Sequence, residues 1–279
     1  MHINYNSNPV DAKLYDTTRL RDELLTEKMF KDNDIVTVYS HIDRIVVMGV
    51  SPKSNELALD DFINNKDFGT DFFLQRREFG MINLGGKAKI TTKNETYILE
   101  NMDALYLGQG NENVVFGSVD NDSPALLYAI SAPSHHIHPS RIIHQNEAKV
   151  IHLGDKENAN ERCINQYIHP DVLPTSQLSM GVTALKAGSV WNTMPPHTHE
   201  RRMEAYFYFD IKPQQVVFHL MGEPKETRHI VVRNHQMVLS PSWSIHSGCG
   251  TQNYSFVWGM LGENLTFDDM DFVDMNEIR

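Results

Sequence analysis

Cysteine, basic residues and long apolar runs are all scarce in this chain. Its two cysteines, Cys163 and Cys249, are too few for a disulfide framework. Lys and Arg number 25 against 36 Asp and Glu, for a net charge of −11. That balance argues against nucleic acid as a partner and favours solubility. No apolar stretch approaches the roughly 20 residues of a membrane helix. The opening "MHINYNSNPVDAKLYD" has neither the basic nor the apolar region of a secretory signal. These absences lead us to expect a cytoplasmic protein with no membrane and no nucleic-acid partner. A phosphate-binding loop is missing too: "GGKAKITT" lacks the G-x4-G-K-[ST] spacing and reads as a hairpin turn.

Helical pattern is also sparse. "TTRLRDELLTEKMF" (17–30) puts Leu20, Leu24 and Leu25 on one face, and "LALDDFIN" (57–64) is a second short candidate. Its acids Asp22, Glu23 and Glu27 offset Arg19, Arg21 and Lys28 in the first segment, which excludes a basic DNA-reading helix. Short apolar runs punctuated by Gly, Asn, Asp and Pro fill most of the remainder, among them "IVTVYS", "GMINLGG", "ALLYAI", "YFYFDI", "VVFHLM" and "YSFVWGML". This spacing predicts a mainly β sandwich or barrel with a few short helices. The halves echo each other: "QRREFGMINL" (75–84) resembles "ERRMEAYFYF" (200–209), with Glu78 set against Glu204. We therefore expect a duplicated jelly-roll-like barrel. One domain is expected over 1–140 and a metal-binding one over 141–279, with the boundary in "SAPSHHIHPSRIIHQNEAK".

The metal expectation rests on "MPPHTHERRMEAYFYF" (194–209). In a strand, residues i and i+2 share a side, so His197 and His199 can aim at one point. Glu204 is out of parity with them, so a turn or bulge must intervene. His246 follows Pro241 by five residues in "SPSWSIHSG". The first half has no histidines matching His197 and His199, so only the second copy is expected to bind metal. Three imidazoles and a carboxylate suit zinc, iron, manganese, nickel or copper better than magnesium or calcium. A second H-x-H, His136 and His138 in "SHHIHPS", has no glutamate at the right distance and reads as linker.

H-x-H-x4-E followed by a distant P-x4-H resembles the two-part metal signature of cupin barrels. The match is divergent. Gly188 stands nine before His197 instead of six, Ile211 replaces a glycine seven after Glu204, and Trp243 and Gly250 replace a glycine and an asparagine. A closer resemblance covers nearly the whole chain. "VYSHIDRIVVMG", "RREFGMINLGG", "PDVLPTSQLSMG", "WNTMPPHTHERRMEAYFYF", "ETRHIVVRN", "SPSWSIHSG" and "WGMLGENLTFDDMD" resemble the bacterial 5-keto-4-deoxyuronate isomerases, or 4-deoxy-L-threo-5-hexosulose-uronate ketol-isomerases. That resemblance implies a two-domain cupin fold, one zinc per chain on His197, His199, Glu204 and His246, and a hexameric assembly. It also implies conversion of a deoxy sugar acid to 3-deoxy-D-glycero-2,5-hexodiulosonate in the breakdown of pectin and related polymers.

Such a reaction needs the carbonyl polarised, a carboxylate held and protons moved. Arg202, on the Glu204 side of its strand, is the candidate carboxylate clamp, or else a wall residue paired with an acid. Tyr206 is the candidate proton donor, or else a core tyrosine. His41 reads as a buried structural histidine, with Arg44 near it. Cys249 reads as packing, as do Trp243 and Trp258. Four protein ligands usually mark a structural zinc, so the ion's role stays open. A cupin dioxygenase holding iron is the competing enzyme class. A sugar-acid sensor or a storage protein is the non-catalytic one.

Overall fold

Apolar alternation in the sequence becomes strand pairing in the structure. Thr96–Leu99 alternates exposed and buried residues, as an outer strand with one wet face does. Arg77–Asn83 and Arg202–Phe209 are buried throughout, as central strands covered on both faces must be. The computed structural model describes residues 1–263, 265–266 and 268–279, so Asn264 and Phe267 of the last motif above lie outside the described residues.

Each of two compact units pairs a seven-stranded with a four-stranded sheet. In the first, the large sheet runs His2–Asn4, Asp34–Ser40, Val46–Ser51, Leu127–Pro133, Arg77–Asn83, Ala104–Leu107, Arg141–Ile143. In the second it runs Lys149–Leu153, Arg162–Ile168, Ser179–Leu185, Ser255–Gly262, Arg202–Phe209, Gln236–Ser240, Leu25–Thr26. Arg77–Asn83 and Arg202–Phe209 hold the same place in their sheets, each antiparallel to both neighbours. The small sheets follow one order as well: Leu57–Ala58, Val115–Ser118, Ala88–Thr91, Thr96–Leu99, and then Trp191–Asn192, Ser247–Gly250, Val217–Glu223, Glu226–Val232. The fold is mainly β and duplicated.

The units are not contiguous in sequence. The first comprises Met1–Asn4, Lys28–Lys149 and Tyr167–Ser179; the second comprises Tyr5–Glu27, Val150–Gln166 and Met180–Arg279. This differs from a single cut between 140 and 141, and the reasons are contacts between segments distant in sequence. The Glu78 carboxylate accepts the backbone N–H groups of Ser176, Gln177 and Leu178 at 2.8, 2.8 and 2.9 Å, which ties that segment to the first unit. Leu20 and Leu24 pack with Val232 and Val238 in the second core, and Leu25 pairs with Val238. That pairing also shortens the expected helix, which runs only Thr17–Leu24 before the chain turns to strand. At 57–64 the expected helix gives way to a two-residue strand and a 3-10 turn, because Leu57 pairs with Phe116.

Parity corrects one detail of the repeat. Tyr206 and Tyr208 belong to the second core, so Glu204 shares the inward face. In the first unit the inward residues are Phe79 and Met81, and Glu78 faces the other way. Setting Glu78 against Glu204 is therefore off by one residue. At the inward position of the first unit stands a phenylalanine.

Candidate metal centre

Two turns bring the candidate ligands together. His197 lies in the short strand His197–Thr198, paired with Asp271–Phe272. The chain then turns, with the Arg202 N–H donating to the His199 carbonyl at 3.2 Å, and enters Arg202–Phe209. This is the break in parity that Glu204 requires. His246 sits in the turn after Pro241, where the Ser244 N–H donates to the Pro241 carbonyl at 3.0 Å and the Ile245 N–H to the Gly222 carbonyl at 2.9 Å.

His197, His199 and His246 are all buried, and one ring nitrogen from each lies within 4.8 Å of the others. The Nε2 atoms of His246 and His197 are 2.9 Å apart. Glu204 Oε2 is 3.2 Å from His246 Nε2 and 3.4 Å from His199 Nε2. The donor chemistry fits a cation. His199 Nδ1 hydrogen-bonds the Arg202 carbonyl at 2.8 Å, which assigns that nitrogen the proton and leaves Nε2 a free lone pair. The same Nε2 is buried and makes no hydrogen bond. Burial and the neighbouring His199 and Arg202 push His197 down to about 3, and burial holds His246 well below its ordinary value. Both are neutral at pH 7, the form that ligates metal.

A cavity of about 180 Å³ opens beside the cluster. His197, Glu204, Arg202 and Tyr206 line it. Arg202 is nearly buried and donates to the backbone carbonyls of Thr266 at 2.7 Å and Asp269 at 3.4 Å. Burial lowers its pKa, and the Glu204 charge opposes that. Burial, then the Glu204 charge, keep the pKa of the Tyr206 hydroxyl well above 10. It therefore carries its proton at neutral pH. The adjoining wall is apolar: Phe256, Trp258 and Met260, the register partners of Tyr208, Tyr206 and Glu204. Trp258 reaches that wall because residue 181 is glycine; a Cβ there would lie 2.2 Å from the indole.

Other candidates lie elsewhere. His41 is exposed, not buried as expected, because it falls in the turn after Asp34–Ser40. His136 is also exposed, and His138 is half-buried. Cys249 pairs with Trp191 in the small sheet and is no part of the imidazole cluster. Trp243 packs on the second core and donates to the Ser7 carbonyl at 3.3 Å. Reading the sequence alone missed Arg162, Asn192, Thr193 and Thr183, all of which line the cavity. Arg162 opens a strand that no apolar run announces, "RCINQYI".

The KduI/IolB family matches residues 24–275 of this chain. A 4-deoxy-L-threo-5-hexosulose-uronate ketol-isomerase of Pectobacterium carotovorum is 52% identical over 279 residues, covering 100% of both chains. One of the same name from Yersinia pestis is 50% identical over the same span. Among solved structures, an IolB-like protein from Salmonella typhimurium superposes with a TM-score of 0.73 at 17% identity, over 91% of this chain and 97% of that one.

Proposed function

We propose, from the premise that the chain belongs to the KduI/IolB family, that it is a zinc-dependent ketol-isomerase of 4-deoxy-L-threo-5-hexosulose uronate. The observation that carries this reading is a cavity beside a three-histidine cluster, lined by a carboxylate, a protonated tyrosine and two guanidiniums. His197, His199, His246 and Glu204 would hold the metal, and the bound ion would supply Lewis acidity to the reacting carbonyl.

The chain's own groups supply the rest. Arg202 and Arg162 are the cations of the cavity wall, suited to hold a carboxylate by its two oxygens. Arg202 is the clamp at the Glu204 end. The carbonyl moves from C1 to C2 as a proton moves from C2 to C1, and the oxygens exchange a proton in step. Tyr206 donates to the oxygen that gains charge. Phe256, Trp258 and Met260 keep water from that face and suit a carbon bearing no hydroxyl.

The same reading makes the protein a cytoplasmic enzyme of uronate-polymer breakdown with a small-molecule substrate and no nucleic-acid partner. No helix among the described residues is long and apolar enough to cross a membrane. We read it as a homo-oligomer, a hexamer, in which exposed apolar residues such as Leu14, Ile137 and Phe272 are covered by other copies. Light scattering on the purified protein measures that mass.

The test of function joins metal content to turnover. Untagged protein is analysed for metals and assayed without oxygen, before and after chelation. We expect about one zinc per chain, activity lost on chelation and restored by zinc. Unchanged turnover by folded, metal-free protein makes the zinc structural. Bound iron with no isomerisation favours an oxygenase.

A further inference from the structure

Gly181 and Trp258 meet in the second unit, on neighbouring strands of its large sheet, Ser179–Leu185 and Ser255–Gly262. Gly181 shares the inward parity of Thr183, which lines the cavity. A Cβ at residue 181 would lie 2.2 and 2.7 Å from Cζ2 and Cε2 of the indole and 2.5 Å from the Asn165 carbonyl oxygen. Side chains do not approach other atoms that closely, so only glycine seats the ring there. The indole is almost wholly buried, yet it faces the cavity that His197 and Glu204 also line.

Sheet order sets the span of that cavity. From the strand of Glu204, neighbours run through those of Trp258 and Gly181 to Arg162–Ile168, whose Arg162 also lines the cavity. Three steps of about 4.8 Å put roughly 14 Å between the strands of Glu204 and Arg162. An extended six-carbon chain is about 6 Å long, and a polar contact of about 3 Å at each end brings its span to about 12 Å. With its reacting carbons at Glu204 and its carboxylate toward Arg162, such an acid lays its middle carbons over Trp258 and Gly181. C4, the carbon without a hydroxyl, is one of them. We propose that Trp258 is a specificity-determining residue, seated by Gly181, that selects a sugar acid with no hydroxyl at C4. This rests on the isomerase reading above.

Selection comes from what this wall withholds. The indole atoms nearest residue 181 are those on its N–H side, so that edge is turned toward the glycine strand. Phe256 and Met260 flank the ring with apolar side chains, and Gly181 has no side chain to offer a partner. A hydroxyl at C4 would lose its water there and gain no hydrogen bond, whereas a methylene loses nothing. An apolar wall of this kind rejects an added hydroxyl by about a hundredfold at most.

The test compares two acids that differ at C4 alone, D-glucuronate and its 4-deoxy counterpart, with binding to the zinc-loaded protein measured by calorimetry. We expect the parent to bind the 4-deoxy acid about ten- to a hundredfold more tightly. Trp258→Phe, which shortens the ring over Gly181, should bring that ratio below about threefold, and Trp258→Gln, which offers the hydroxyl an amide, should bring it to about one or below. Gly181→Ala should weaken both acids about tenfold or more as the indole is pushed into the cavity, and adding Trp258→Phe should recover part of that loss. The ratio separates selection from packing, because lost packing alone weakens both acids alike. A parent ratio near one, or the parent's ratio kept in both Trp258 variants, would overturn the proposal. Parent-strength binding in Gly181→Ala, or no recovery in the double variant, would overturn the role of Gly181. Thermal unfolding shows which variants fold, and the Trp258 pair decides the matter if Gly181→Ala does not fold. Calorimetry needs no turnover, so a parent that selects the 4-deoxy acid but leaves the deoxy uronate untouched overturns the isomerase reading alone.

Discussion

Arg77–Asn83 and Arg202–Phe209 occupy the same place in two copies of one fold, yet they face different interiors. Along the second, Arg202, Glu204, Tyr206 and Tyr208 point inward in turn, and a cavity remains beside them. Along the first, Phe79 and Met81 point inward into a cluster of buried apolar side chains. Phe79 meets Phe73 and Phe116 edge to face, with ring centroids 6.2 and 6.4 Å apart. The Arg77 guanidinium lies 5.5 Å from the Phe68 and Phe73 rings, and burial lowers its pKa to about 10. One copy thus sets a buried guanidinium against aromatic rings where the other sets imidazoles and a carboxylate beside a cavity. Phenylalanine rings occupy the first interior at the position where the second has Glu204 beside a cavity.

The strongest way to break this contrast is to remove ligands from the second copy. His197→Ala with His246→Ala should abolish metal retention and reduce turnover about a thousandfold or more, with both measured on the same preparation. Phe79→Ala should do the opposite. We expect a stability loss of about 3–5 kcal/mol in denaturant titration, with metal per folded chain unchanged. Glu78→Gln sharpens the parity argument. The carboxylate accepts three backbone N–H groups and the Tyr106 hydroxyl at 2.7 Å, and glutamine would turn an amide N–H2 toward those donors. A loss of about 3 kcal/mol is expected, again with metal retained. Metal loss in Glu78→Gln would mean that the two glutamates are equivalent after all.

The smallest effect concerns pH. His219 is fully buried in the second unit, with Nδ1 on the Tyr208 hydroxyl at 2.7 Å and no hydrogen bond at Nε2. Burial lowers its pKa from 6.5 to about 3. Between those values the unfolded chain binds a proton that the folded chain does not. Stability of metal-free protein therefore rises with pH through that window and levels off above it. His219→Gln should flatten this rise in thermal midpoints measured at several pH values; an unchanged slope would assign it to other groups, His197 first.

Much of this was legible in the sequence, for physical reasons. Apolar alternation reports strands, and the spacing of His197, His199 and Glu204 with His246 downstream reports convergence, because both are local rules of chain geometry. Arg202 and Tyr206 followed from parity with Glu204. What escaped depended on distant partners. Thr193 and Asn192 look like ordinary polar turn residues until Tyr206 lies across from them. Glu78 matched Glu204 by letter, but only the cores reveal which way each points. The helix stop at Leu24 is set by pairing with a strand some two hundred positions away.

That last pairing bears on how the molecule is made. Leu25 pairs with Val238, and Leu20 and Leu24 pack beside it. At about 5–20 residues per second, translation leaves this arm without its docking site for roughly 10–40 s. The first unit waits in its turn for Leu178 to reach Glu78. Each unit completes its contacts only with a segment outside its main contiguous stretch. The two are interleaved in time, and the order of synthesis does not make one a finished platform for the other.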